Sequence, residues 1–216
     1  MKLLLTSAGI SNKSIEDALQ SLSEKPLKEL KVAFVPTASN WIDDEKEWLI
    51  NDLMRCQKIF GEVDIVDISA LPREKWEARF EKADVFFFEG GYTFHLMRWI
   101  EKSGLQEILP KLVEEKIYIG ASAGSMVTTP SLFLEDSKVL YDEDPEDWEK
   151  DEALGLVDFC IMPHYNSDDF PKVNDENLKE IAKKTSQSIY ALDDESAIKI
   201  LDGEMEVISE GEWKKF

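Results

Sequence analysis

The chain has 216 residues, of which 43% are hydrophobic and 32% are charged, and its formal net charge is −20 at pH 7. This composition is typical of a globular protein with a buried core, and the length favours a single domain over residues 1–216. The strong negative charge would repel phosphate groups, so it argues against nucleic acids and anionic membrane surfaces as partners.

Cysteine use and the N-terminal stretch predict the compartment. Cys56 and Cys160 are too few for a disulfide framework and fit a reducing environment. The apolar run Leu3–Leu5 stops at Thr6, which is too short for the hydrophobic region of a signal peptide. No stretch approaches the roughly 18 apolar residues of a membrane span. We therefore expect a cytoplasmic protein with no membrane partner.

The first part of the chain alternates apolar runs with amphipathic stretches. Continuous runs such as Val32–Val35 and Val85–Phe88 are typical of parallel strands that are buried on both faces. Predicted strands cover 2–6, 30–36, 63–68, 83–88 and 117–119, and predicted helices cover 14–23, 43–60, 73–82, 94–100 and 105–116. This alternation predicts βαβ units, and therefore a three-layer α/β/α sandwich with a mostly parallel sheet.

A G-x-S-x-G elbow, Gly120–Gly124, directly follows the predicted strand 117–119. Such an elbow presents a serine hydroxyl above a parallel sheet, and its glycines let neighbouring backbone segments approach closely. Ser122 would also stand at a helix start, where free N–H groups favour a developing negative charge. The alternative is an ordinary Gly/Ser-rich loop, because the pattern also recurs by chance.

The later part of the chain has a different character. The segment Glu135–Glu152 is rich in acidic residues, but it lacks the glycine and ligand spacing of an EF-hand. We interpret it as a solvated loop rather than a calcium site. A predicted strand at 156–162 and a predicted helix at 174–184 follow. Three short strands at 189–192, 197–201 and 205–209 then predict an antiparallel finish with a C-terminal hairpin.

A nucleophilic serine needs a base, and the usual base is a histidine that a carboxylate orients. The chain has two histidines. His95 lies inside a predicted helix, where a surface or packed role is the simpler interpretation. His164 follows a strand and a proline, so it is the better candidate base, with a structural role in the loop as the alternative. The sequence leaves four candidate acids open: Asp136, Asp193, Asp194 and Glu195.

A tetrahedral intermediate also needs two N–H donors. One candidate is the amide of Ala123, which follows the serine. The other is the amide of Gly91, where the missing Cβ permits close backbone approach. Gly91 and Ser122 both lie just past strand ends, where sites form in parallel α/β sheets. The alternative for Gly90–Gly91 is a plain tight turn.

Four segments recur in the order of a known family: Phe88–Phe94, Gly120–Ser125, Ile161–Tyr165 and Ala191–Ile198. Together they resemble the S51 serine peptidases, and the resemblance covers nearly the whole chain. It implies a class I glutamine amidotransferase-like fold with the chain order serine, histidine, acid. The implied roles are Ser122 as nucleophile, His164 as base, Asp194 as acid, and Gly91 with Ala123 as the oxyanion hole. Asp136 lies near an alternative acid proposed for some members.

Two features depart from the family pattern. Tyr92 stands where the family often has asparagine. The segment 166–177 contains Lys172 but no arginine, whereas aspartyl-specific members carry an arginine-containing segment after the catalytic histidine. A substrate carboxylate would find few cationic partners there, so aspartyl specificity is not expected.

The resulting expectation is a serine-type peptidase that hydrolyses short, dipeptide-like substrates through an acyl-enzyme, without a metal or organic cofactor. The alternatives are a small-ester hydrolase, or a binding or regulatory protein that keeps the fold without turnover. The expected partner is a small peptide, and a homodimer is an open alternative to the monomer. If the acidic segment borders the crevice, peptides with a basic residue should be preferred over acidic ones.

Overall fold

A seven-stranded sheet forms the centre of the fold, in a computed structural model that describes residues 1–145 and 148–216. Glu146 and Asp147 of the acidic segment lie outside the described residues. The described strands are β1 (Lys2–Thr6), β2 (Lys31–Val35), β3 (Glu62–Ile65), β4 (Val85–Phe88), β5 (Ile117–Ala121), β6 (Cys160–Met162), β7 (Ile189–Leu192), β8 (Ser196–Leu201), β9 (Glu204–Ser209) and β10 (Trp213–Lys215). The central sheet has the order β3-β2-β4-β5-β1-β8-β9.

Strand direction divides this sheet into two parts. The strands β3, β2, β4, β5 and β1 are all parallel, with β1 and β5 in register from Lys2 opposite Ile117 to Thr6 opposite Ala121. The hairpin of β8 and β9 adds to β1 in antiparallel sense. The prediction of a mostly parallel sheet with a C-terminal antiparallel hairpin is therefore confirmed.

Helices cover both faces of the sheet. The described α-helices are α1 (Lys13–Ser21), α2 (Thr37–Asn40), α3 (Glu47–Ile59), α4 (Arg73–Phe80), α5 (Thr93–Lys102), α6 (Leu109–Glu115), α7 (Ala123–Met126), α8 (Leu134–Leu140) and α9 (Asp175–Ala182). Alternate residues of β4 enter different cores: Phe86 and Phe88 pack with α4, α5 and α6, whereas Val85 and Phe87 pack with α1 and α3. This alternation is what a strand buried on both faces requires. No helix in the described part of the chain is long and apolar enough to cross a bilayer.

Several predicted boundaries differ from the structure. The helix predicted from residue 43 begins at Glu47, and the strand predicted to residue 68 ends at Ile65. The helix predicted over 105–116 is a short 3₁₀ turn followed by α6, with Pro110 in the first turn of α6, where its missing N–H costs no hydrogen bond. The prediction of a solvated loop over Glu135–Glu152 is wrong at its start, because α8 forms there and buries Ser137 and Leu140.

A small second sheet carries part of the C-terminal region. The strand β7 pairs in parallel with β6 and in antiparallel sense with β10, so it does not join the C-terminal hairpin. The strand predicted over 156–162 is shortened to β6, and β10 was not predicted. The ends of β6 and β7 lead directly to His164 and Asp194, while the end of β5 leads to Ser122. The second sheet therefore brings two distant loops to the elbow.

The packing at the elbow generates a stability prediction. A Cβ added at Gly124 would overlap the carbonyl oxygen of Phe88 at the end of β4. We expect Gly124→Ala to lower the free energy of unfolding by about 3 kcal/mol, since neither backbone segment can yield easily. The measurement is urea or thermal denaturation of the purified variant.

Gly203→Ala in the β8–β9 turn is the control. Its backbone φ is +88°, but an added Cβ there would meet no atom within 4 Å. We expect a cost of only about 1 kcal/mol, from backbone strain alone. Equal losses in the two variants would contradict the close packing of the elbow against β4.

Candidate active site

The elbow holds Ser122 in a backbone conformation that few residues adopt. Its φ is 46° and its ψ is −108°, between the end of β5 and the start of α7. Such strain persists only where the surroundings hold it. Here the Ser122 N–H donates to the carbonyl of Thr6 at 3.1 Å, and the Ser125 hydroxyl donates to the same carbonyl at 2.8 Å. The glycines are sterically required, because a Cβ on Gly120 would lie 2.5 Å from the carbonyl oxygen of Gly124.

A continuous chain of hydrogen bonds starts at the serine hydroxyl. The Oγ of Ser122 lies 2.9 Å from Nε2 of His164, and Nδ1 of His164 lies 2.6 Å from Oδ1 of Asp194. Because Nδ1 faces a carboxylate, it holds the ring proton, and Nε2 is left to accept the proton of the serine hydroxyl. The ring of His164 also stacks on Phe170, with a centroid distance of 4.5 Å. The structure thus brings together the predicted nucleophile, the predicted base and one of the four candidate acids.

Ser7 forms hydrogen bonds to both His164 and Asp194, and it was not singled out from the sequence. Its hydroxyl donates to Oδ1 of Asp194 at 2.9 Å and accepts a hydrogen bond from the backbone N–H of His164 at 2.7 Å. Burial alone would raise the pKa of Asp194, but hydrogen bonds from His164 and Ser7 outweigh it and hold that pKa below its usual value. Asp194 is therefore ionised at neutral pH. The only sequence signal for Ser7 is its position directly after a buried strand.

The other candidate residues lie elsewhere. Asp136 forms an ion pair with Lys184 at 2.6 Å on the outer part of α8. Asp193 accepts hydrogen bonds from Ser196 and from the backbone around it, and Glu195 accepts one from Asn12. His164 makes no hydrogen bond to these three acids within the described part of the chain. His95 is buried and stacked on Trp41 at 4.6 Å, as a packed histidine would be.

The loop Gly90–Gly91 lies against the elbow. A Cβ on Gly90 would stand 3.2 Å from Cβ of Ser122, and one on Gly91 would stand 2.5 Å from the backbone of Ala38. Gly91 also has a φ of +128°, which disfavours any other residue. Within residues 1–145 and 148–216, the N–H groups of Gly91 and Ala123 donate to no protein acceptor. Neither predicted oxyanion donor is therefore occupied by a protein acceptor among the described residues.

A cavity of about 380 Å³ opens beside the serine. Its walls come from the loops after β1, β4, β5, β6 and β7, from the segment after α8, from α3, and from the start of α5. Among its lining side chains are Asp52, Arg55, Glu89, Glu143, Asp169 and Asp194. Carboxyl groups thus outnumber basic side chains in the wall. Among the residues that the structure describes, no three His, Cys, Asp or Glu side chains converge as metal ligands.

Glu143 is an acidic residue of the segment Glu135–Glu152 that lines this cavity. Its carboxylate accepts hydrogen bonds from the N–H of Thr93 at 3.1 Å and from the Thr93 hydroxyl at 2.9 Å. Burial raises its pKa to about 7, and these hydrogen bonds offset the burial only in part. The acidic segment was interpreted as solvated, so this buried acid is a correction to that interpretation. A single acid among many neighbours gave no sequence signal of its burial.

Comparison with known proteins places this geometry in a family. The profile of peptidase family S51 matches residues 3–208. An uncharacterised peptidase of Listeria innocua is 28% identical over 186 residues, which cover 84% of this chain and 86% of that protein. Peptidase E of Streptomyces coelicolor is 32% identical over 129 residues, covering 57% of this chain and 51% of that protein.

Solved structures share the fold. A Listeria monocytogenes protein described as a peptidase E aligns with a TM-score of 0.80 at 24% identity, over 97% of this chain and 98% of that one. A peptidase from an acI-B1 Actinobacterium aligns with a TM-score of 0.69 at 17% identity, over 98% and 88% of the two chains. The predicted class I glutamine amidotransferase-like fold is confirmed by this agreement.

The contacts of Ser7 generate the first prediction for the site. We expect Ser7→Ala to slow the reaction of Ser122 with a fluorophosphonate probe by about tenfold, because His164 and Asp194 lose a shared hydrogen-bond partner. The unfolding free energy should also fall by about 1–2 kcal/mol, since the backbone N–H of His164 is left without its acceptor. Labelling kinetics and urea denaturation measure the two effects. Ser21→Ala is the control, because the Ser21 hydroxyl bonds only its own helix, to Ala18; similar losses in both variants would contradict the role of Ser7.

Glu143 generates a prediction about pH. Its folded pKa of about 7 lies above the 4.5 of a solvated glutamate, so between these values the folded chain holds a proton that the unfolded chain releases. The stability of the protein should therefore decline as the pH rises through this window. Glu143→Gln removes this titration, so the variant should not lose that stability as the pH rises. The unfolding free energy of the variant minus that of the parent should therefore increase from pH 4.5 to pH 7, by on the order of 3 kcal/mol.

Urea denaturation at pH 5 and pH 8 measures this difference. The exposed residue Glu149 supplies the control variant Glu149→Gln, which removes the same charge at the surface of the segment. A stability difference between Glu143→Gln and the parent that is the same at both pH values would show that Glu143 titrates normally.

Proposed function

This chain belongs to peptidase family S51 and is a serine-type peptidase, and from that premise we propose that it hydrolyses short peptides through an acyl-enzyme on Ser122. The observation that carries the proposal is the hydrogen-bonded series Ser122, His164 and Asp194 in the wall of the cavity. Both distances lie within the range of productive proton transfer. No other described serine has a histidine ring nitrogen as its partner.

In the proposed reaction, His164 takes the hydroxyl proton of Ser122 at Nε2 as the oxygen attacks the scissile carbonyl carbon. Asp194 stays ionised and stabilises the imidazolium that results, because its low pKa keeps the proton on the ring. His164 then gives the proton to the leaving amine, which departs and leaves an ester on Ser122. Water, deprotonated by the same Nε2, hydrolyses this ester and restores the serine.

The developing oxyanion would be held by the amides of Gly91 and Ala123. Ala123 is the first residue of α7, where the N–H groups have no partner within the helix. Gly91 offers its N–H from a loop that is fixed by its contact with Ala38. Preorganised donors of this kind contribute more to catalysis than groups that must rotate into place.

Cavity size and charge support a short peptide as the substrate. A volume of about 380 Å³ is near the lower end for small-molecule sites, which suits a dipeptide better than a long chain. In the segment after His164, Lys172 is exposed and does not line the cavity. Arg55 does line it, but this arginine is paired with Asp52 at 3.3 Å. An aspartyl side chain would therefore compete with a carboxylate that is already in place.

Two variants test the proposed roles. We expect Ser122→Ala to lower kcat/KM on a dipeptide panel by about 10⁴–10⁶-fold, since the nucleophile is lost. We expect Asp194→Asn to lower it by about 10⁴-fold, because an amide at this position favours the wrong histidine tautomer. Initial rates on dipeptides, with matched small esters beside them, measure both effects and separate a peptidase from an esterase.

Asp136→Asn is the matched control, since it removes another of the four acids that the sequence left open. That acid pairs with Lys184, so its variant should keep the parent rate. Unchanged turnover in Ser122→Ala would overturn the mechanism, and a large loss in Asp136→Asn alone would reassign the acid. If folded protein does not react with a fluorophosphonate at Ser122, the chain is instead a binding member of the fold.

A further inference from the structure

Glu89 is a buried acid that the proposed mechanism does not use. It follows β4 directly, is 1% exposed and lines the cavity beside Ser122. Its Oε1 accepts the N–H of Gly90 at 2.9 Å, whereas its Oε2 has no hydrogen-bond partner within the described part of the chain. A buried carboxyl oxygen without a donor is unfavourable, so a ligand that donates there would be bound well.

Asp52 is a second buried acid in the same part of the wall. It lies on α3 and is 8% exposed, and Oδ2 would stand 2.7 Å from a Cβ on Gly9, so its carboxylate packs on the loop after β1. Burial raises the pKa of Glu89 well above its usual value, and the charge of Asp52 raises it further. Burial and the charge of Asp52 thus both oppose the ionisation of Glu89. A cation bound beside Glu89 would favour its ionised form and donate to the oxygen that has no partner.

The remaining charged groups of the wall are either paired or exposed to solvent, as Asp169 is. Asp194 holds His164, and Glu143 is bonded to Thr93. Arg55 bonds Oδ1 of Asp52 at 3.3 Å and offsets one of the two negative charges, but its side chain is 44% exposed and screened by solvent. What is left is a carboxyl pair with one free oxygen at Glu89. This arrangement suits a small group with several N–H donors and a positive charge.

We propose that Glu89 and Asp52 form a subsite for a primary ammonium group on the residue whose carbonyl Ser122 attacks. Glu89 is joined directly to Gly90–Gly91, the loop that would hold the carbonyl oxygen, and for this reason the proposal assigns a group bound at Glu89 to the acyl side of the scissile bond. The inference rests on the proposed peptidase function and names its substrate class. The sequence attributed a preference for basic peptides to the acidic segment, but Glu143 of that segment is already bonded to Thr93. The present proposal attributes the preference to Glu89, at the end of β4, instead.

A primary ammonium can come from the α-amino group or from a lysyl side chain, and matched substrates distinguish the two. The panel is lysyl-leucine, norleucyl-leucine, N-acetyl-norleucyl-leucine and aspartyl-leucine. Norleucine has the aliphatic chain of lysine without the ammonium, so the lysyl to norleucyl ratio of kcat/KM reports the side chain. The ratio of free to N-acetylated norleucyl substrate reports the α-amino group.

We expect at least one of these two ratios to be about tenfold or more in the parent, as charge-assisted hydrogen bonds are the strong ones. The same ratio should approach one in Glu89→Gln and in Asp52→Asn. Glu47→Gln is the matched control, since Glu47 is exposed in the first turn of α3 and changes the net charge equally. Its ratio should stay within about twofold of the parent, because solvent screens exposed charges.

The outcomes that overturn the subsite are specific. Ratios near one in the parent would overturn it. So would a ratio that falls as much in Glu47→Gln as in Glu89→Gln and Asp52→Asn, or a ratio that falls in neither Glu89→Gln nor Asp52→Asn. Fastest turnover of aspartyl-leucine would also overturn it and would assign side-chain recognition to Arg55. Because ratios are compared within one variant, a general loss of activity in Glu89→Gln does not imitate the result.

A second measurement separates this inference from the peptidase proposal. Pentylamine should slow fluorophosphonate labelling of Ser122 in the parent but not in Glu89→Gln, whereas 1-pentanol should have no such difference. Protection without peptide turnover would keep the subsite and reject the peptide substrate. If Ser122 does not label at all, the peptidase proposal fails, and the subsite then depends on a rise in Tm with pentylamine that Glu89→Gln abolishes; no rise would reject it.

Discussion

The end of β1 is the constraint on which the site depends. The carbonyl of Thr6 accepts hydrogen bonds from the Ser122 N–H and the Ser125 hydroxyl, and the Thr6 hydroxyl donates to the carbonyl of Gly120 at 2.8 Å. The next residue, Ser7, bonds both His164 and Asp194. Two successive residues therefore fix the nucleophile on one side and its base and acid on the other. Since β1 is buried between β5 and β8, this link is as rigid as the sheet itself.

Close backbone packing around the elbow explains why its glycines are required. The strained conformation of Ser122 is compatible with folding only because β4, β5 and α7 approach more closely than any side chain would allow. The same closeness sets Gly90 against Ser122 and Gly91 against Ala38. The strained backbone of Ser122 and the glycines around it thus occur together at the carboxyl ends of the parallel strands, where sites form in such sheets.

The charge of the cavity follows a different principle from the net charge of the chain. Most of the described acidic residues lie outside the core. In the cavity wall, by contrast, Asp194, Glu143 and Asp52 have defined partners, whereas one oxygen of the buried Glu89 has none among the described residues. Burial makes such groups sensitive to the charge of whatever enters, so a few acids in the wall influence selectivity more than the many on the surface.

The residue pattern alone was enough to predict the parallel sheet, the elbow and the better of the two histidines. Apolar runs such as Val85–Phe88 are recognised locally, because burial on both faces needs a continuous stretch. The elbow pattern is equally local, and only two histidines competed for the role beside it. The order of segments then indicated the family, and the fold followed.

Local patterns could not predict which acid faces His164 or which residues complete the cavity; both follow from the way the chain folds. Asp193 and Asp194 are adjacent in the chain but project differently after β7, and that strand lies in a second sheet rather than in the predicted antiparallel finish. Ser7, Asp52 and Glu89 are separated by tens of residues and have no periodic signal in common. The physical reason is that side-chain direction at a strand end depends on which neighbour the strand pairs with, and strand pairing is a long-range property of the chain.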